Sequence, residues 1–183
     1  MNANTPLDSK LEIHTQRLIL SPLSTQDIDI YMRLLTCAKT TKYLPGGKPF
    51  SAAYIENYLV EKLTHWEKGY GTFVVRLKSE PQVKIGYAGV EQIKGTDYND
   101  IRYAIIPEQY RKGYALEAAQ GVCDFMFKNT DIESIYGVAV KENYGSVAII
   151  EKLKMKPASE RLYDSDEVLT YKLDYQDYLQ ANE

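Results

Sequence analysis

DIRYAIIPEQYRKGYALEAAQGVCDFMF, residues 100–127, is the stretch on which the reading of this chain turns. Ile101, Tyr103 and Ile105 alternate with other residues, the period of a strand. Pro107 stops that pattern, because proline has no N–H for a sheet ladder. A polar turn follows from Glu108 to Lys112, then Gly113. From Ala115 the apolar spacing changes to Ala118, Ala119, Val122 and Met126, one face of a helix. The segment therefore predicts strand, turn and helix, with a glycine and two basic residues where the helix begins. The first turn of a helix has backbone N–H groups without partners and lies at the positive end of the dipole, so a phosphate fits there. Gly113 lets the backbone approach such a ligand, and Arg111 and Lys112 add positive charge. The same residues also describe an ordinary strand-to-helix turn with solvated basic side chains.

Working outward toward the N-terminus, residues 1–10 are polar and read as a tail. Leu11 to Leu20 reads as a first strand. Ser24 and Thr25 offer caps to a helix over Asp27 to Cys37, with Ile28, Tyr31, Met32 and Leu35 at helical spacing. Pro45-Gly46-Gly47 breaks the chain. Ser51 then caps a second helix, Ala52 to Lys68, that Gly69 ends. Two strands follow, Thr72 to Leu77 and Val83 to Ile93, with Gly86 and Gly89 in the second marking a bulge or a close backbone approach. Beyond the quoted stretch, Ser134 to Val140 reads as a strand and Asn143 to Leu153 as a helix. Met155 to Leu162 and Val168 to Leu173 read as a closing hairpin, and the last ten residues as surface.

These 183 residues predict one domain, 1–183, and an apolar fraction of 44% is enough for a core. A net charge of -3 gives no bulk attraction to nucleic acid. No apolar run reaches the ~18 residues of a membrane span, and MNANTPLDSK has neither part of a signal peptide. Cys37 and Cys123 lack metal-ligand spacing and read as buried thiols in a reducing, cytoplasmic setting. No metal is expected.

Three blocks resemble the GNAT N-acetyltransferase superfamily, and within it the branch of the ribosomal-protein N-terminal acetyltransferases. Pro107-Glu108, Lys112-Gly113-Tyr114-Ala115 and Glu117-Ala118 are similar to its acetyl-CoA loop. Val138-Ala139-Val140, Asn143, Ser146 and Glu151-Lys152-Leu153 resemble a second block, and Thr15-Gln16-Arg17-Leu18-Ile19-Leu20 a third. Arg102, Arg111 and Lys154 stand where glycine is usual in that family, Met155 where Phe is usual, and Tyr110 where Gln or Arg is usual. The resemblance implies an α+β fold. Its mixed, twisted, mostly antiparallel sheet has about seven strands, is splayed between the fourth and fifth, and is flanked by about four helices. It also implies acetyl-CoA as cosubstrate and an amine as acceptor, either a protein N-terminus or a small amine.

In the family the pantetheine arm adds to the exposed edge of the fourth strand, here Ile101 to Ile106, so the backbone at Ile105 and Ile106 is expected to receive it. The diphosphate is expected on the amides of Arg111, Lys112, Gly113, Tyr114, Ala115 and Leu116. Asn143 reads as a helix cap, and the resemblance adds a contact with the cofactor arm. Ser146 or Tyr144 can protonate the leaving thiolate, and Ser146 is preferred because it matches the family motif. Glu91 and Asp100 are candidates for deprotonating the ammonium through water, each with the alternative of a solvated charge. Tyr43, Phe50, Tyr54 and Tyr58 either touch the acceptor or pack. His14 and His65 read as structural. No Cys-His or Ser-His-Asp set is visible, so direct attack in a ternary complex is expected rather than a covalent acetyl-enzyme. A CoA-binding module without turnover remains the alternative. A nucleotide-phosphate binder is disfavoured, because no Gly-x-x-x-x-Gly-Lys-Ser/Thr loop is present. The oligomeric state stays open between monomer and homodimer.

Overall fold

The computed structural model describes residues 11–181, so the expected tail at 1–10 lies outside the described residues. A single eight-stranded sheet runs in the order β1-β2-β3-β4-β5-β6-β8-β7. Its strands are β1 (Ile13–His14), β2 (Leu18–Pro22), β3 (Thr72–Leu77), β4 (Glu80–Gln92), β5 (Asn99–Ile105), β6 (Ser134–Val140), β7 (Lys156–Pro157) and β8 (Val168–Asp174). The helices are α1 (Ile28–Leu35), α2 (Ala38–Thr41), α3 (Ala52–His65), α4 (Tyr114–Asn129), α5 (Tyr144–Lys152) and α6 (Tyr175–Ala181). The mixed α+β architecture is the expected one, with three local differences. The single N-terminal strand is a hairpin, because the chain turns at Thr15, whose N–H bonds the Leu18 carbonyl at 3.1 Å. The closing hairpin has a first arm of only two residues. The C-terminal residues form the helix α6, which lies on the surface as expected but buries one residue, Tyr178, against Phe127 with ring centroids 4.8 Å apart.

Local chemistry explains the main elements. The Ser51 hydroxyl caps α3 by accepting the Tyr54 N–H at 3.2 Å. Gly69, at φ 85°, supplies the left-handed residue that ends the short 3-10 turn following α3. Gly89 allows β3 to come close, since a Cβ there would lie 2.5 Å from the Thr72 Cα.

Helices cover both faces of the sheet. On one face α1 and α3 pack together, with Tyr31 of α1 stacked on Tyr87 of β4 at 5.0 Å. On the other face α4 lies against β4 and β5, burying Ala118, Ala119, Val122 and Met126. Cys123 is buried in α4, whereas Cys37 is only half-buried, contrary to the expectation for it.

The sheet is not continuous through its middle. β4 and β5 are partnered at seven consecutive positions, from Gly86↔Ile105 to Gln92↔Asn99, and β6 and β8 at seven more. Between them, β5 and β6 are parallel, and among the described residues one position is partnered, Asp100 with Tyr136. The sheet is thus zipped on each side of a gap, and from Ile101 to Ile105 no residue of β5 has a partner on β6 among the described residues. Because the N-terminal strand divides in two, the expected splay between the fourth and fifth strands falls here between β5 and β6.

Candidate active site

The backbone of β5 sets the first wall of the gap. Ile106 donates its N–H to the Ile85 carbonyl at 2.8 Å, so that amide belongs to the β4 ladder. Antiparallel strands alternate their bonding sides, so Ala104 and Arg102 also face β4. Tyr103 and Ile105 turn their N–H and C=O groups the other way, into the gap. Of the two residues expected to receive an extended ligand, Ile105 offers its amide and Ile106 does not.

At the open end of β5 the chain makes a 3-10 turn, Pro107–Gln109, and reaches Gly113. Gly113 sits at φ 81° and caps α4 by its position alone, with no side-chain cap hydrogen bond among the described residues. Arg111 is also left-handed, at φ 62°, and its side chain is exposed, as is that of Lys112. A left-handed residue followed by a helix start aims successive amides at one side, a concavity suited to an anion. Tyr114, Ala115 and Leu116 are half-buried in the first turn. Among the described residues, the two non-glycine residues with positive φ, Arg111 and Lys154, stand at two of the positions where the resemblance expects glycine. The backbone shape is kept although the residue types differ.

Across the gap α5 brings Asn143 and Ser146. The Asn143 side chain accepts the Ser146 N–H at 3.2 Å, so it is a helix cap. The Ser146 Oγ lies 2.9 Å from the hydroxyl of Tyr103. Burial pushes the Tyr103 phenol up to about 12, so it stays protonated and able to donate. The pair links β5 to α5 over the gap. The sequence pattern marks Tyr103 only as one beat of a strand. Tyr144, the other candidate acid, is 78% exposed.

Glu91 and Asp100 are cross-strand partners on the α3 side of the sheet, and neither is a solvated charge: each is 4% exposed. Lys62 of α3 forms a short ion pair with Glu91, and the Thr72 hydroxyl donates to the same carboxylate at 2.6 Å. Burial alone would raise the Glu91 carboxyl, but Lys62, the Thr72 hydroxyl and Arg102 together outweigh it and the group is held below its ordinary value. At Asp100 burial wins and the carboxyl is raised, although Arg102 bonds it at 3.1 Å and the Tyr163 hydroxyl donates to it. Arg102 also donates to Tyr163 at 3.0 Å and lies 3.7 Å from Glu91. The cluster Lys62, Glu91, Arg102, Asp100 and Tyr163 therefore joins α3, β4, β5 and the loop after β7 where the gap closes.

Above the cluster a row of rings runs from Phe50 through Tyr54, Tyr58 and Tyr31 to Tyr87, with successive centroids 4.5, 5.9, 6.1 and 5.0 Å apart. Phe50, Tyr54 and Tyr58 thus stand together, while no described ring contact brings Tyr43 into the row. His65 is fixed by two bonds: Nδ1 to the Tyr70 carbonyl at 3.0 Å, and Nε2 from the Gln92 N–H at 2.9 Å. Those partners require a neutral ring. His14 is on the surface beside Glu12 at 3.2 Å.

Sequence spacing missed two features. Lys62 continues the buried stripe of Ile55 and Leu59, and a lysine at such a position is the signal of a buried partner. Thr15 and Arg17 bind Glu117, about a hundred residues away, and no local pattern announces that. Among the described residues, no group of three or more His, Cys, Asp or Glu side chains is placed to hold a metal, and no helix is long and apolar enough to cross a membrane.

Comparison with known proteins adds the following. Residues 17–156 match the family model described as Acetyltransferase (GNAT) domain. An uncharacterized N-acetyltransferase of Bacillus subtilis, YnaD, is 26% identical over 149 residues, covering 80% of this chain and 83% of its own. RimL, a ribosomal L7/L12 α-N-protein acetyltransferase in complex with coenzyme A, superposes with a TM-score of 0.74 at 14% identity, covering 91% of this chain and 99% of that one. A spermidine N-acetyltransferase from Vibrio cholerae, in complex with CoA and spermine, gives 0.72 at 20% identity, covering 88% and 98%. At these identities the two structures speak for the fold.

Proposed function

The chain belongs to the GNAT acetyltransferase family, and from that premise we propose that it transfers an acetyl group from acetyl-CoA to a primary amine by direct attack. The observation that carries this reading is the gap itself. β5 turns the free backbone of Tyr103 and Ile105 to one side, and at its open end lies the uncapped first turn of α4. An extended arm that ends in a diphosphate fits both features: the arm as an added strand, the diphosphate on the amides from Arg111 to Leu116 with Lys112 beside it. Relatives with CoA bound, RimL and the Vibrio cholerae enzyme, support the same donor.

In this proposal Ser146 gives its proton to the departing sulfur. The hydroxyls of Tyr103 and Ser146 are 2.9 Å apart and either can donate; in the arrangement proposed the Tyr103 hydrogen points to the Ser146 oxygen, which leaves the serine hydrogen for the sulfur. Tyr103 lies two residues from Ile105, about 7 Å along the strand, which leaves room for the arm between the turn and the acid. Asn143 holds the start of α5 and lies at the same wall. On the amine side Asp100, whose carboxyl burial raises although Arg102 and Tyr163 bond it, accepts the ammonium proton through water more readily than Glu91, whose carboxyl is held below its ordinary value. The rings from Tyr87 out to Phe50 lead to that side.

The finer acceptor choice follows from charge. Lys62 and Arg102 match the two buried acids Glu91 and Asp100 one for one. A polyamine needs carboxylates to spare for its further ammonium groups, so a peptide N-terminus is the favoured acceptor over spermidine. Free CoA thiol released from acetyl-CoA, measured against N-terminal peptides and polyamines, tests the whole reading. Amine-dependent release with a peptide is expected. CoA binding with no release for any amine would instead support a binding module.

A further inference from the structure

We propose that Thr15, Arg17 and Glu117 form a buckle whose task is to set the orientation of the turn at Gly113. This rests on the reading of that turn as the diphosphate site. Glu117 is the fourth residue of α4, and an unpaired carboxylate there would face any anion at the helix mouth. It is fully engaged on the opposite side. Its Oε1 accepts the Thr15 hydroxyl at 2.6 Å and the Arg17 backbone N–H at 2.7 Å, and its Oε2 accepts the Arg17 Nε at 2.7 Å.

Arg17 reaches further. Its Nη1 donates to the Lys112 carbonyl at 2.9 Å, and its guanidinium lies over the Tyr114 ring at 4.6 Å. In a trans peptide the C=O and the following N–H point in opposite directions. Pinning the Lys112 carbonyl toward Arg17 therefore turns the Gly113 N–H away from it. A Cβ on Gly113 would come within 3.3 Å of the Arg17 Nη2, so the glycine also gives the guanidinium its place. The strip that carries the buckle is packed tightly on α4, since a Cβ at Gly121 would lie 2.9 Å from the Thr15 methyl. Arg17 and Glu117 are thus positioning residues: they act through the peptide between Lys112 and Gly113.

The test compares two ligands of the full chain by calorimetry: CoA, and pantetheine, which lacks the diphosphate. Arg17→Ala is expected to weaken CoA by about tenfold or more, the loss typical of a hydrogen bond to a charged group, and pantetheine by less than about twofold. Arg17→Lys, which keeps the charge but loses the fork, is expected to lose nearly as much for CoA and serves if the alanine variant does not fold. Glu117→Gln is expected to follow in the same direction with a smaller factor. Equal weakening of both ligands, or unchanged CoA affinity, overturns the buckle. A wild-type chain that binds CoA no better than pantetheine overturns the diphosphate reading beneath it, a result recognisable before any variant is made.

Discussion

One side of β5 carries Ile101, Tyr103 and Ile105 toward α4 and α5; the other carries Asp100 and Arg102 toward α3, with Glu91 opposite. On the first side the chemistry is mostly backbone: amides left free by the gap, amides left uncapped at a helix start, one hydroxyl pair. On the second it is side-chain charge, buried and mutually paired. Backbone chemistry depends on conformation, so it survives where Arg111 and Lys154 replace glycine at φ 62° and 63°. Paired buried charge depends on each partner, so it tolerates little. The contrast predicts where substitutions damage the fold and where they damage the reaction.

The largest expected effect is on the charged side. Removing one partner of a buried ion pair leaves the other uncompensated, so Glu91→Ala should lower unfolding free energy by about 3–5 kcal/mol in urea melts. Replacing both Lys62 and Glu91 with methionine and leucine should recover most of it. A cost under about 1 kcal/mol for the single change would erase the distinction between the two sides. On the backbone side, Ser146→Ala should cost only about 1 kcal/mol of stability, the hydrogen bond with Tyr103. It should lower kcat about 100-fold, the low end for a general acid, with the KM for acetyl-CoA little changed. An unchanged kcat would remove Ser146 as the acid.

Lys154→Gly should sharpen the contrast from the opposite direction. It relieves a left-handed side chain and should raise stability by about 1 kcal/mol, read as a higher Tm, with no change in turnover. The smallest effect concerns pH. Burial lowers the pKa of His65, so the folded state resists the proton that the unfolded chain accepts. Its contribution is full above the unfolded value of about 6.5 and is lost as pH falls below it. The Tm should therefore drop from pH 7 to pH 5.5, and His65→Gln should flatten that part of the slope.

The same contrast explains what could be read from sequence. The alternation of Ile101, Tyr103 and Ile105, the stop at Pro107 and the glycine at 113 are local demands of backbone geometry, so they were legible as strand, turn and helix. The division of the first strand at Thr15 was not, because a single side chain and one hydrogen bond decide it. Glu91 and Asp100 were legible as candidates but not as buried groups, since their burial depends on Lys62, Arg102 and Tyr163 arriving from other elements. Tyr178 shows the same limit: it is the one buried residue of the surface helix α6, and its burial depends on Phe127 facing it. The buckle's residues sit in two separate sequence blocks, Thr15-Gln16-Arg17 and Glu117-Ala118, and only the fold joins them.

The most direct measurement is a titration of isotope-labelled protein with CoA, followed residue by residue at the backbone amides. The account predicts that the amides of Tyr103, Ile105 and Gly113 to Leu116 shift together and gain protection from exchange, while Ile106, already bonded to Ile85, changes little. Shifts confined to the groove between Glu12–Arg17 and the outer face of α4, with Tyr103 and Ile105 unmoved, would contradict it.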